Sequence, residues 1–133
     1  MSTKITIDNT QGRITSEGSA ITPQYYDISG EVAGTPNAST RVFNFKTARA
    51  FTLKSGLSVA GCVGQPTATT TFTIKKGDTS IGTIQFDNGS FAGTVTISSD
   101  VSVAAGDIIN VNSPVDVKSI DTPFWTLVGI IPS

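Results

Sequence analysis

The stretch TFTIKKGDTSIGTIQFDNGSFAGTVTIS, residues 71–98, decides how this chain reads. Thr71-Phe72-Thr73-Ile74-Lys75 alternates polar and apolar residues, Lys76-Gly77-Asp78 supplies a turn, and Ile81 to Phe86 resumes the run. Successive side chains of a strand point to opposite faces, so this alternation marks strands with one buried face. Asp87-Asn88-Gly89-Ser90 follows, and Asn-Gly favours the positive φ angles of a tight hairpin turn. Phe91 to Ser98 then returns, with Val95 and Ile97 on one face and Thr94 and Thr96 on the other.

The same pattern extends outward in both directions. Lys4-Ile5-Thr6-Ile7-Asp8 is a short alternating strand ended by Asn9-Thr10-Gln11-Gly12; Arg13 to Thr22 is weaker, broken at Gly18 and stopped by Pro23. Tyr25-Tyr26-Asp27-Ile28 leads into the loop Gly34-Thr35-Pro36-Asn37, and Arg41 to Lys46 and Ala50 to Lys54 come next. Val42, Phe43, Phe45, Phe51 and Leu53 are available there for burial. Ser55 to Thr67 is small and Gly-rich, a loop or an irregular strand around Val59 and Val63. Ala104-Ala105-Gly106-Asp107 turns into Ile108 to Asn112, and Phe124 to Ile131 is a strongly apolar last strand between Pro123 and Pro132.

About eight to ten short strands, with turns at roughly ten-residue intervals and no sustained helical periodicity, are the pattern of sandwiches and barrels. The expected fold is all-β: an antiparallel β-sandwich, jelly-roll-like. Residues 1–25 form an N-terminal strand or arm and residues 26–133 the sandwich domain, with the first and last strands able to serve as interface arms.

Composition narrows the chemistry. Charged residues make up 14% of the chain against 38% hydrophobic, and 9 basic residues nearly balance 10 acidic ones. A net charge of −1 gives no broad field for nucleic acid or an anionic membrane. Arg41, Lys46 and Arg49 lie near Phe43 and Phe45, but no stacking platform or further basic cluster accompanies them. Histidine is absent, which removes the commonest general base and metal ligand. Cys62 is the only cysteine, so neither an internal disulfide nor a multi-cysteine zinc site is available, and a buried thiol is expected. MSTKITIDNT turns polar at once and carries no leader pattern, so synthesis in a cytoplasm is expected.

The carboxylates Asp27, Glu31, Asp78, Asp87, Asp100, Asp107, Asp116 and Asp121 could in principle supply an acid/base pair for glycoside cleavage. Asp78, Asp87 and Asp107 sit beside Gly or Asn-Gly, where Asp is favoured for local hydrogen bonding, so turn chemistry outweighs catalysis. Asp87-Asn88-Gly89 lacks the spaced ligands and closing glutamate of a calcium loop. No enzymatic activity, cofactor or metal is expected.

From about Tyr26 onward the chain resembles a small β-domain that recurs in tailed-phage structural proteins, often at the end of tail or fibre proteins. The resemblance runs through Asp27-Ile28-Ser29-Gly30, Phe51-Thr52-Leu53 with Gly56-Leu57, and Phe72-Thr73-Ile74-Lys75-Lys76-Gly77. It continues through Ile81-Gly82-Thr83-Ile84-Gln85-Phe86, Gly93-Thr94-Val95 and Ala105-Gly106-Asp107-Ile108-Ile109, closing at Pro114. Each piece is a turn-plus-strand pattern and none carries chemistry. The last residues, Gly129-Ile130-Ile131-Pro132-Ser133, depart from the polar tail usual in that group, and the first 25 residues fall outside the match.

The resemblance implies a virion protein, made in the host cytoplasm, that contacts the major capsid protein or other virion proteins and forms a homo-oligomer, with no nucleic-acid or membrane partner. With no shaft, coiled coil or collagen-like repeat to mount it on a fibre, a capsid decoration (cement) protein is the first expectation. The alternative is a tail-tip or tail-fibre module that binds a host receptor or glycan. Candidate interface residues are Ile5 and Ile7 on the first strand, Tyr25 and Tyr26, and Phe124 and Trp125 on the last. Adjacent strand residues face opposite ways, so one of Phe124 and Trp125 belongs to the core and the other to a contact surface; the same holds for Tyr25 and Tyr26.

Overall fold

The computed structural model describes residues 24–131 throughout and, of residues 1–23, only the backbone pairing of two short strands. These are β1 (Ile5–Asp8) and β2 (Arg13–Ser16), an antiparallel pair. The remaining strands are β3 (Gln24–Glu31), β4 (Arg41–Lys46), β5 (Phe51–Leu53), β6 (Val59–Gly64) and β7 (Thr70–Lys76). They continue with β8 (Thr79–Phe86), β9 (Ala92–Thr96), β10 (Val101–Val103), β11 (Ile108–Asn112) and β12 (Asp121–Ile131). Every pairing is antiparallel and the described residues contain no helix, so the chain is all-β and sandwich-like.

Ten strands form one continuous hydrogen-bonded sheet in the order β10-β5-β12-β6-β9-β8-β7-β11-β4, with β3 on the other edge of β12. The branch lies at β12. Its first half, Asp121 to Thr126, pairs with β6, and Gly129 and Ile130 pair with β5. Along its opposite edge it pairs with β3 from Phe124↔Glu31 to Ile131↔Gln24. Gly129 permits the switch, because a Cβ there would stand 2.5 Å from the Phe51 ring. The last strand is therefore a central strand, satisfied on both edges, and not an arm free for donation.

Three further expectations are sharpened or corrected. Val59 to Gly64 is a regular strand, and the pairing of β3 begins at Gln24, so the sheet takes in Gln24 and Tyr25 as well. In the Asp87–Ser90 turn the Ser90 N–H donates to Asp87 O at 3.0 Å, and positive φ is taken at Gly89 (+71°) and not at Asn88. That is not the two-residue hairpin turn; β8 and β9 are joined by the five residues between Phe86 and Ala92.

The core is enclosed by this sheet and is built from the inward positions of most strands. Ile28, Phe51, Leu53, Phe72, Ile74, Ile84, Phe86, Ile97, Val103, Ile109, Val111, Trp125 and Leu127 are buried. Phe72 meets Phe86 edge to face, with centroids 6.0 Å apart. Thr47, Thr70, Asn110 and Ser113 are buried polar residues; the Asn110 amide donates to Gly77 O at 3.0 Å and its carbonyl accepts from Asn112 Nδ2 at 2.6 Å, so burial leaves neither of its groups unsatisfied.

Candidate interaction surface

Burial alternates cleanly along β12. Pro123, Trp125, Leu127 and Gly129 face inward, while Phe124 is exposed and Thr126, Val128 and Ile130 are half-exposed. Trp125 is only 2% exposed and packs edge-on against Phe43, with centroids 5.5 Å apart. It is thus a core residue and no interface contact of the folded chain. Tyr26 is likewise turned inward, tilted against Phe51 at 4.9 Å and edge-on to Phe45 at 6.1 Å. That leaves Tyr25, 56% exposed, and Phe124, 41% exposed, as the accessible aromatics of the two pairs. Ile5 and Ile7 sit on β1, where side chains lie outside the described residues.

Registers place the outer face. Phe124 stands opposite Gly61 on β6 and Glu31 on β3; Thr126 stands opposite Val59 and Ser29. Gly61 has no side chain because the Phe124 ring occupies its place: a Cβ there would lie 2.8 Å from Cε2 and Cζ of that ring. On either side of Gly61, Val59 and Val63 project from the same face, 63% and 61% exposed. Phe91, 57% exposed, begins the adjoining segment, and its carbonyl accepts the Cys62 N–H at 2.9 Å. The result is an apolar stripe, Val59–Phe124–Val63, across two neighbouring strands in the middle of the sheet.

Sequence reasoning left Ser55 to Thr67 as a loop or an irregular strand around Val59 and Val63 and did not name the two valines as contact residues. One signal was present. In Val59-Ala60-Gly61-Cys62-Val63 the bulky residues occupy one parity and the small ones the other, which is a strand carrying its larger apolar groups outward.

Beside the stripe, between β3 and β12, lies a depression of about 340 Å³ lined by Ser29, Gly30, Glu31, Phe124, Trp125 and Thr126. It combines a carboxylate, an aromatic ring and two hydroxyls, Ser29 Oγ and Thr126 Oγ1, which hydrogen-bond to each other at 3.1 Å. Under it, Trp125 Nε1 is buried without a hydrogen-bond partner, next to Gly30.

Most of the carboxylates are occupied locally. Asp107 accepts the Ala104 N–H at 2.9 Å, Asp87 accepts the Gln85 amide at 2.9 Å, and Asp121 accepts the Thr122 hydroxyl at 2.8 Å. Asp100 bridges to Lys54 at 2.7 Å, and that hydrogen bond, followed by the Ser55 N–H, holds its carboxyl below the usual range. Asp116 is lowered first by the Lys118 N–H and then by the Lys118 ammonium, 3.0 Å away. Among the described residues no three His, Cys, Asp or Glu side chains gather to hold a metal ion. Cys62 is buried, and burial, then the charge of Asp121, pushes its thiol up, away from the nucleophilic thiolate form.

No family model, no curated protein and no solved structure matches this chain.

Proposed function

We propose that the chain is a non-enzymatic structural protein of a tailed-phage particle, a capsid decoration (cement) protein that stabilises the shell through protein contacts. The observation that carries the contact role is the Val59–Phe124–Val63 stripe. Three apolar side chains, 41–63% exposed, cluster in mid-sheet, where a solvent-facing strand ordinarily carries polar residues. Carboxylates committed to turns and ion pairs support a binding role over hydrolysis. The particle setting rests on the resemblance of the strand-and-turn pattern. A cement protein acts by preferring the assembled shell, which shifts the equilibrium by mass action.

One observation favours a second reading, a tail module that recognises a host glycan. The depression beside Phe124 places Glu31, Ser29 and Thr126 next to an aromatic ring, the groups that orient and stack a sugar. Immuno-electron microscopy on virions whose genome encodes the chain separates the two. Label distributed over the head supports cement; label confined to the tail tip, with binding of the purified protein to host cells, replaces it with the second reading.

A further inference from the structure

The turn between β8 and β9 carries chemistry that the contact role does not use. Six asparagines occur in the chain, and Asn88 alone is followed by glycine. A backbone amide nitrogen can attack the side-chain carbonyl of the asparagine before it, closing a five-membered imide. Three restraints ordinarily oppose this: a side chain on the following residue, a backbone held in a strand, and an asparagine amide tied up in hydrogen bonds. Gly89 has no Cβ and has the conformational range to reach the cyclic geometry. Asn88 and Gly89 are both exposed and lie between β8 and β9, outside either strand. Among the described residues the hydrogen bonds of this turn run through Asp87, Gly89 and Ser90 and leave the Asn88 amide out.

The other asparagines of residues 24–131 each keep at least one restraint. Asn37 precedes Ala38, whose Cβ crowds the attack. Asn44 lies in β4 before Phe45, and its carbonyl accepts from Arg41 at 3.4 Å. Asn110 is buried with its amide and carbonyl both bonded, and Asn112 donates to it. One contact at Asn88 opposes the reaction. The Gly89 N–H donates to Pro66 O at 3.2 Å, the long end of the hydrogen-bond range, so the attacking nitrogen is held by a stretched bond that must open first.

We infer that Asn88 is a site of spontaneous conversion to aspartate and isoaspartate in the folded protein, and that the isoaspartate form uncovers Cys62. The Gly89 nitrogen gives its proton to solvent base and forms a bond to Asn88 Cγ. The Cγ–Nδ2 bond then breaks, the nitrogen takes up a proton and ammonia leaves, giving the imide. Water adds at one of the two imide carbonyls. Opening at Cγ restores the main chain with an aspartate; opening at the main-chain carbonyl routes the chain through Cγ, which is isoaspartate. The sum is amide plus water giving acid plus ammonia, with no oxidant or cofactor. Either product adds a negative charge beside Asp87, and isoaspartate also adds a methylene to the main chain. That methylene falls inside the turn closed by the Ser90 N–H on Asp87 O at 3.0 Å. It also falls just before Ser90 O and Phe91 O, which accept the Cys62 thiol at 3.4 Å and the Cys62 N–H at 2.9 Å. Lengthening the turn displaces that segment from the thiol. None of this depends on where in a particle the protein sits.

Storage of the native full chain in warm, mildly alkaline buffer, with peptide mapping at intervals, tests it. The wild type is expected to lose the Asn88 amide with release of an equal amount of ammonia and to give two isomeric acids at that position. Asn37 and Asn44 should stay intact over the same time. Gly89→Ala should slow the loss about tenfold. Nothing lies within 4 Å of its new Cβ, so only the left-handed φ of +71° opposes that variant. Asn88→Gln is the second variant; its longer side chain would need a six-membered ring, and at an exposed turn position it leaves the fold intact. No acid should form at position 88 in it. Separated from its isomer, the isoaspartate chain should react with a disulfide reagent faster than Asn88→Asp, which carries the same charge without the methylene. A native chain that keeps Asn88 as long as it keeps Asn37, a Gly89→Ala chain that converts at the wild-type rate, or an isoaspartate chain whose Cys62 is as slow as that of Asn88→Asp would each overturn the inference.

Discussion

In a Gly30→Ala variant the new Cβ would stand 2.6 Å from Trp125 Nε1 and 2.7 Å from Cδ1 and Cε1 of Phe43. Non-bonded heavy atoms prefer about 3.5–4.0 Å, so roughly 1 Å must come from moving a ring. Neither ring moves alone. Trp125 is 2% exposed, and Phe43 sits edge-on against it at an interplanar angle of 82°. Overpacking of a core costs about 1–3 kcal/mol, and two coupled rings put this case at about 3 kcal/mol. For a chain of this length that corresponds to a fall in Tm of about 10 °C. Urea unfolding followed by fluorescence reads the site directly, because Trp125 is the single tryptophan. Gly34→Ala is the comparison: nothing lies within 4 Å of its Cβ, and only the left-handed φ of +76° opposes the side chain, at about 1 kcal/mol. Combining Gly30→Ala with Trp125→Phe, read by circular dichroism, should cost less than the sum of the two changes, since the crowding Nε1 edge is gone. A Gly30→Ala loss under about 0.5 kcal/mol, or strict additivity in the pair, would refute the packing described under the β3–β12 surface.

Gly61→Ala pushes chiefly against the far end of the exposed Phe124 ring, at 2.8 Å, and more lightly against the Phe91 carbonyl oxygen at 3.3 Å, so the ring should swing away. Stability should change by less than about 1 kcal/mol, while contact with virion proteins through the stripe weakens; denaturation and virion binding of the same sample check both. Thr122 holds φ +46°, unfavourable for a β-branched residue, at a site pinned by hydrogen bonds to Gly34. Thr122→Ala removes the hydroxyl that accepts the Gly34 N–H at 2.9 Å and should lower the urea midpoint by the equivalent of about 1 kcal/mol. The carboxyls of Asp100 and Asp116 are held below their usual range in the folded chain, so their contribution is present above the ordinary carboxylate pKa and is lost as pH falls through the depressed values. Thermal melts between pH 5 and acid should therefore decline below about pH 4, and Asp100→Asn combined with Asp116→Asn should flatten that decline. Cys62, buried and shifted away from thiolate, should react with a disulfide reagent at pH 8 only after unfolding; rapid labelling of the native chain would contradict its placement.

The strands were legible wherever alternation was strong. Arg41 to Lys46 matches β4 and Ile108 to Asn112 matches β11, because in both stretches apolar residues alternate with polar ones between clear turns. β6 was obscured because its inward positions are Ala60 and Cys62 and its centre is Gly61, small residues chosen by what packs on them and not by strand propensity. β10 was not read from the sequence; it has three residues, too few for periodicity to register. Of the candidate residues, Tyr25 and Phe124 are accessible, Tyr26 is half-buried and Trp125 is buried. Alternation required opposite faces for each pair, but which face was inner depended on registers with β3, β5 and β6.

What the sequence determined by itself is local: an all-β chain, the turns at its glycines and aspartates, and the absence of histidine and of a second cysteine. These follow from side-chain period, backbone preference and residue chemistry, which need no distant partner. Tertiary structure alone decided that β12 is a central strand and not an arm, because its fate depends on edges supplied by β3, β5 and β6, each far away in the chain. The same cause produced the contact surface. Val59 and Val63 flank Phe124 only because Gly61 and Phe124 fall opposite each other across two strands some sixty residues apart, a coincidence of register that no local pattern carries.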